Sequence, residues 1–227
     1  MTTESSEAAA QDWELAVDGE CLHLRDGTAV QVRRVRPDDG PAVTVFLEHL
    51  CRESLELRYF SAVRPDTVAG EILRNSSEVR RVSVLLESVS PTPTQILGHA
   101  EYVGSSAAPT QAEVAFLIAD DTHGQGAATL LLRQLARHAR AAGILTFSAV
   151  VLNENKSMRD VFTQAGFPFS ILFEREEVLI ELDIRQESQT ALAVRNDLSP
   201  LVPIPDADPT VAAVPEPGDL DRPLRST

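Results

Sequence analysis

The stretch Glu113-Val-Ala-Phe-Leu-Ile-Ala-Asp-Asp-Thr-His-Gly-Gln-Gly-Ala-Ala-Thr-Leu-Leu-Leu132 holds the residues whose types and spacing best suit chemistry. Val114 to Ala119 is a short apolar run bounded by charge, which reads as a buried strand. From Gln125 to Ala142, the residues Leu131, Leu132, Leu135 and Ala139 recur at helical spacing. Between them lies a turn containing His123, Gly124, Gln125, Gly126, Ala127 and Ala128. A strand that turns tightly into a helix N-terminus presents free backbone N–H groups and the positive end of the helix dipole. Such a turn is an anion site, and phosphate is its usual occupant. Small residues at 126 and 128 keep side chains out of the way of those amides. Two glycines before a helix also make a plain turn, so the pattern alone leaves both readings open. A Gly-x-x-x-x-Gly-Lys-Ser/Thr loop is absent, and so is the third glycine of a dinucleotide fingerprint.

The elements that must position this turn follow from periodicity. Leu22, Leu24, Val30, Val32 and Val35 alternate around Asp26-Gly27, predicting a hairpin. Arg36-Pro37-Asp38-Asp39 opens a helix through Val43, Phe46, Leu47 and Leu50, followed by shorter helices over 54–60 and 65–74. Val82 to Ser88 and Gln95 to Val103 read as strands joined at Pro91-Thr-Pro93. A β-rich segment over 144–152, a helix over 155–165 and a strand pair over 167–173 and 178–184 complete a mixed α/β pattern.

Composition narrows the function classes. A chain of 227 residues with 43% hydrophobic content can bury one core of ordinary size. It has no apolar run long enough to span a membrane. A net charge of −14 opposes nucleic acid as partner and suits a cationic, lysine-bearing substrate. The two cysteines, Cys21 and Cys51, read as reduced thiols of a cytoplasmic protein, and no metal site is expected. Lys156 is the only lysine, which suits an enzyme that modifies lysines and spares itself, and equally a GC-rich codon bias. Residues 1–20 form an acidic arm. From 186 onward seven prolines interleave with Ala, Asp and Val, a segment expected to stay disordered.

The turn resembles motif A of the GNAT superfamily of N-acetyltransferases, Gln/Arg-x-x-Gly-x-Gly/Ala, matched by His123, Gly126 and Ala128. Ala112-Glu113-Val-Ala-Phe-Leu-Ile118 resembles that family's fourth strand. Asn155-Lys-Ser-Met158-Arg-Asp-Val-Phe162-Thr-Gln-Ala-Gly166-Phe167 resembles its second signature, Asn-x-x-Ala-x-x-x-Tyr-x-x-x-Gly-Phe. The resemblance covers roughly residues 21–185 and implies the GNAT fold, a mixed central sheet flanked by helices, with acetyl-CoA as co-substrate. The segments at Leu24-Arg-Asp-Gly-Thr28, Val35-Arg-Pro-Asp-Asp39 and Leu57-Arg-Tyr-Phe60 are similar to the acetyltransferase domains of bacterial protein lysine acetyltransferases. They point to protein lysine as acceptor, with a small amine, or a non-catalytic acyl-CoA-binding module, as alternatives.

The same resemblance assigns roles. Glu113 would be the general base that deprotonates the acceptor amine, with Glu101 as the competing carboxylate. Glu113, Ala115 and Leu117 share a strand face, whose apolar surround could raise the carboxyl pKa. Main chain at Phe116, Leu117 and Ile118 would pair with pantetheine where strand four splays from strand five. The turn from His123 and Gly124 to Gln125, Gly126, Ala127 and Ala128 would hold the pyrophosphate through its amides, and Asn155 would bond near the pantetheine arm. Asn155 also reads as a plain helix N-cap. Two residues depart from the family pattern. His123 replaces Gln or Arg, and Phe162 replaces a tyrosine proposed to protonate the leaving thiolate.

Overall fold

Residues 21–75, 80–90 and 94–185 are described by the structure, a computed structural model. The acidic arm over 1–20, the Pro91–Pro93 turn and the tail from 186 lie outside the described residues. The strands are β1 (Leu22–His23), β2 (Ala29–Arg34), β3 (Arg81–Ser88), β4 (Ile96–Gly104), β5 (Gln111–Ile118), β6 (Thr146–Leu152), β7 (Phe169–Glu174) and β8 (Glu177–Asp183). The helices are α1 (Gly40–His49), α2 (Arg52–Tyr59), α3 (Pro65–Asn75), α4 (Ala127–Ala141) and α5 (Lys156–Gln164). Short 3-10 turns at Pro37–Asp39 and Asp120–Thr122 lead into α1 and out of β5. The strands make one sheet in the order β1-β2-β3-β4-β5-β6-β8-β7. Among the described residues only β5 and β6 run parallel, so the expected mixed α/β sheet flanked by helices is the one that forms.

The sheet's two faces bury separate cores. On one, Val114, Phe116 and Ile118 of β5 pack with Leu131, Leu132 and Leu135 of α4 and Phe162 of α5. On the other, Leu117 and Leu85 pack with Val43, Phe46 and Leu47 of α1, Leu55 of α2 and Val68 and Ile72 of α3. Alternation along β5 therefore puts Glu113 and Ala115, with Leu117, on the α1–α3 side. The hairpin entering the sheet turns at Gly27, whose φ of 88° a side chain would oppose. Arg33 of β2 grips the start of α1 by a two-pronged bond to Asp39, both contacts at 2.7 Å, and also pairs with Glu87 of β3. This fixes α1 against the sheet and is a charged link buried on the α1–α3 face.

Candidate active site

Strands β5 and β6 start as neighbours and then part. Their pairing runs only through Gln111–Thr146, Ala112–Phe147 and Glu113–Ser148. Strand β6 then keeps to β8 as far as Leu152, while β5 keeps to β4 as far as Ile118. Beyond Glu113 the edge of β5 facing β6 has no strand partner among the described residues. Unpaired backbone of that kind can take an extended amide-bearing ligand as it would take another strand. Of the segment Phe116, Leu117 and Ile118, the Ile118 carbonyl is already engaged, accepting from His123 Nε2 at 3.2 Å. The His123 ring is thus turned back onto the end of β5.

The turn that follows presents unpaired backbone donors. Gly124 and Gly126 adopt φ of 76° and 89°, which L side chains resist. A Cβ added to Gly124 would meet no heavy atom within 4 Å, so the space beside it is open. No side chain caps α4, and Gly126 stands at its N-cap. The backbone N–H groups of Gly124, Gly126, Ala127 and Ala128 find no acceptor among the described residues. Gln125 departs from expectation: its N–H donates to the Thr122 carbonyl at 3.3 Å, because the 3-10 turn carries its hydrogen bonding one step further. Ala127 and Ala128 have buried methyls, so their small size is also required for α4 to approach the sheet.

Glu113 is the last β5 residue paired with β6, opposite Ser148, and it is exposed. The closed apolar surround expected around it does not form, because the apolar cluster on this face begins further along β5, at Leu117. The competing carboxylate, Glu101, stands opposite Ala115 on the same face. Each of its oxygens is taken by an arginine: Arg58 Nη2 donates to Oε1 at 3.0 Å and Arg81 Nη1 to Oε2 at 2.9 Å. Burial would raise its pKa, but the neighbouring His99 and these two guanidiniums outweigh burial and hold it below the usual value. At neutral pH the guanidiniums alone do this, since burial pulls His99 down to about 4 and leaves it uncharged. A carboxylate so clamped has little affinity for a proton, which removes Glu101 from contention as a base.

Asn155 caps α5, its Oδ1 accepting the Met158 N–H at 3.1 Å, so the helix-capping reading of this residue holds. Its side-chain N–H₂ makes no hydrogen bond among the described residues. Phe162 is 1% exposed and meets Phe116 edge-on, with centroids 5.9 Å apart. It is a core residue and offers no proton.

Two residues of this region carry no signal in the local pattern. Asp120, in the turn leaving β5, accepts from the Cys51 N–H and the Ser54 hydroxyl, each at 2.6 Å. It ties the start of α2 to the glycine turn. Arg25, from the β1–β2 hairpin, donates to the Gly124 carbonyl at 3.1 Å. Both lie far in sequence from what they touch, and only pairwise variation could have announced them. Among the described residues no group of three or more His, Cys, Asp and Glu is placed to hold a metal, and no helix is long and apolar enough to cross a membrane.

Residues 30–168 match the family described as "Acetyltransferase (GNAT) domain". The chain belongs to the GNAT acetyltransferases. It is therefore an N-acyltransferase by family, with the parted strands and the glycine turn in the places described above. The GNAT domain of S. lividans PAT is similar in structure, with TM-score 0.64 and 31% identity over 72% of this chain and 96% of that one. "Acetyltransferase Pat" of Mycolicibacterium smegmatis is 26% identical over 166 residues, 72% of this chain. Those residues make up 48% of Pat, so this GNAT chain spans about half the length of that relative. Mycobacterium smegmatis RimJ, solved in complex with CoA-disulfide, shares the fold at 18% identity and TM-score 0.61, over 78% of this chain and 93% of that one.

Proposed function

We propose that this GNAT protein transfers the acetyl group of acetyl-CoA to the ε-amino group of protein lysines, with Glu113 as general base. The observation that carries the reading is the position of Glu113. It is an exposed, unclamped carboxylate on the row where β5 and β6 part. The unpaired amides of Gly126, Ala127 and Ala128 would hold the coenzyme's diphosphate. The open edge of β5 near Phe116 and Leu117 would hold the pantetheine arm and point the thioester toward Glu113.

An ammonium has no lone pair, so the lysine must first lose a proton. Glu113 accepts it, directly or through a water. The freed nitrogen attacks the thioester carbonyl carbon, the new C–N bond forms, and the C–S bond breaks. The nitrogen sheds its second proton to solvent as the amide forms, and the coenzyme A thiolate leaves and takes a proton from solvent, because Phe162 cannot supply one. A net charge of −14 draws cationic acceptors toward the protein. The likeness to Pat and to the PAT domain supports a protein lysine over a free amine.

Incubating the full chain with acetyl-CoA and a lysine-rich protein pool, with free amines in a parallel reaction, tests this. Acetyl groups on protein lysine are the expected product. Product confined to small amines would reverse the acceptor assignment, and tight coenzyme binding without turnover would reverse the enzyme assignment.

A further inference from the structure

Arg25 stands where the β1–β2 hairpin meets the turn before α4. Leu24 beside it is buried in the core and fixes the backbone there. The Arg25 N–H donates to the Gln125 carbonyl at 3.0 Å. Its guanidinium Nη1 donates to the Gly124 carbonyl at 3.1 Å, across 99 residues of sequence. A Cβ on Gly126 would come within 3.8 Å of Arg25 Nε and 3.9 Å of its Cγ. The side chain thus lies along the glycine that opens α4, anchored to the turn at both ends.

This is an unfavourable place for a lone cation. The N-terminus of α4 is the positive pole of its helix, and its first amides are themselves donors in want of an acceptor. The acids nearby are committed elsewhere. Asp26 accepts the Thr28 N–H, Asp120 accepts from Cys51 and Ser54, and Asp121 accepts from the Thr122 hydroxyl. Among the described residues Arg25 has no carboxylate partner, and its Nε and Nη2 donors have no acceptor. A guanidinium, a row of free amides and a helix pole thus meet at the glycine turn, with open space beside Gly124.

We infer that Arg25 is a phosphate ligand, the cationic half of a grip whose other half is the amides of Gly126, Ala127 and Ala128. Its occupant is the diphosphate of coenzyme A, so the inference rests on the coenzyme reading given above. A guanidinium held by a backbone carbonyl at one nitrogen keeps donors on the others for phosphate oxygens. It also takes up the place left by His123, whose ring bonds back to Ile118.

Calorimetric binding of coenzyme A, dephospho-coenzyme A and acetyl-pantetheine to the full chain tests this, with Arg25→Gln beside the parent. Glutamine keeps the apolar stem and a neutral donor and removes the charge, while the Arg25 backbone bond to Gln125 is untouched. A charged hydrogen bond lost from phosphate corresponds to about a 10- to 100-fold weaker Kd. That loss is expected for coenzyme A and equally for dephospho-coenzyme A, which retains the diphosphate. Acetyl-pantetheine affinity and the melting temperature should stay where they were. The salt dependence of coenzyme A binding should also become shallower in Arg25→Gln, which a purely bracing residue would not cause. Coenzyme A bound equally well by both proteins overturns the Arg25 assignment and leaves the coenzyme site standing. A loss confined to coenzyme A, with dephospho-coenzyme A unaffected, moves Arg25 to the ribose phosphate and overturns the diphosphate assignment. A parent chain that binds none of the three overturns the coenzyme reading itself.

Discussion

Asp120 accepts the backbone N–H of Cys51 at 2.6 Å, joining the turn that leaves β5 to the first residue before α2. The Ser54 hydroxyl donates to its other oxygen. The start of α2 is capped by its own Cys51 Sγ, a weak acceptor, and by this carboxylate from 69 residues away. Helix α2 lies against both β5 and β6, over the place where they separate. One aspartate therefore ties helix α2 to the glycine turn.

Asp120→Ala leaves the Cys51 N–H and the Ser54 hydroxyl without their charged acceptor. A hydrogen bond to a charged group is worth about 1.5–3 kcal/mol, and Asp120 is partly exposed, so a loss near the lower end is expected in urea unfolding. Burial would raise its carboxyl pKa, but the Ser54 and Cys51 bonds outweigh burial and hold it below the ordinary value. The stabilisation is therefore present above the unfolded pKa of an aspartate and fades as pH falls through the lower folded one. Urea midpoints of parent and variant should converge under acid conditions.

Glu113 and Glu101 lie on one face of neighbouring strands and should answer differently to the same change. Glu113→Gln is expected to lower kcat/KM at least about tenfold while coenzyme A affinity stays put. Glu101→Gln takes the charge and one of two acceptor oxygens away from two half-buried guanidiniums and should cost about 1.5–3 kcal/mol in stability. Its pH–rate profile should keep the parent's shape. Steady-state kinetics over pH with unfolding curves decide between them, and an unchanged rate in Glu113→Gln at neutral pH would discard Glu113 as the base.

What the sequence disclosed and what it hid divide along the range of the interactions. The strand at Val114–Ile118, the helix with Leu131, Leu132 and Leu135 buried, and the hairpin turning near Gly27 follow from local periodicity. The glycine turn was legible for the same reason, since Gly124 and Gly126 both take positive φ. The insertion of β8 between β6 and β7 was not, because strand order is set by pairing between distant segments. Neither was the clamp on Glu101, whose arginines come from α2 and β3. Glu113 and Glu101 look alike as letters, and only the partners brought by the fold make one available and the other inert.

His99 gives the fold a pH dependence of definite sign. It is 2% exposed, within 2.7 Å of the Ser83 hydroxyl, and burial lowers its pKa from 6.5 to about 4. The unfolded chain takes up the proton near pH 6.5, while the folded chain resists it until about pH 4. Stability is thus fully present above pH 6.5 and falls steadily as pH drops toward 4. At about 1.4 kcal/mol per unit the whole window is worth roughly 3 kcal/mol. His138, bonded to Tyr102 and likewise lowered to about 4 by burial, adds a second contribution of the same sign. In His99→Gln the urea-derived stability should vary less steeply between pH 6.5 and 4, whatever its absolute value; an unaltered slope would count against a buried neutral His99.

Gly98 of β4 lies tight against both β5 and α4. A Cβ there would lie 3.0 Å from Ile118 Cδ1, 3.2 Å from the Leu117 carbonyl oxygen and 3.2 Å from Leu131 Cδ1. Two of these neighbours are side-chain ends that can give a little, but the carbonyl belongs to a strand that cannot move alone. Overpacking of this kind costs about 1–3 kcal/mol. The strain falls at the end of β5, immediately before the turn that carries Asp120 and the two glycines of the proposed coenzyme site. Gly98→Ala should therefore lower the melting temperature and also weaken coenzyme A binding, although the residue lies outside the anion-binding turn. A melting temperature unchanged from the parent would mean that β4 and α4 separate more easily than their packing implies.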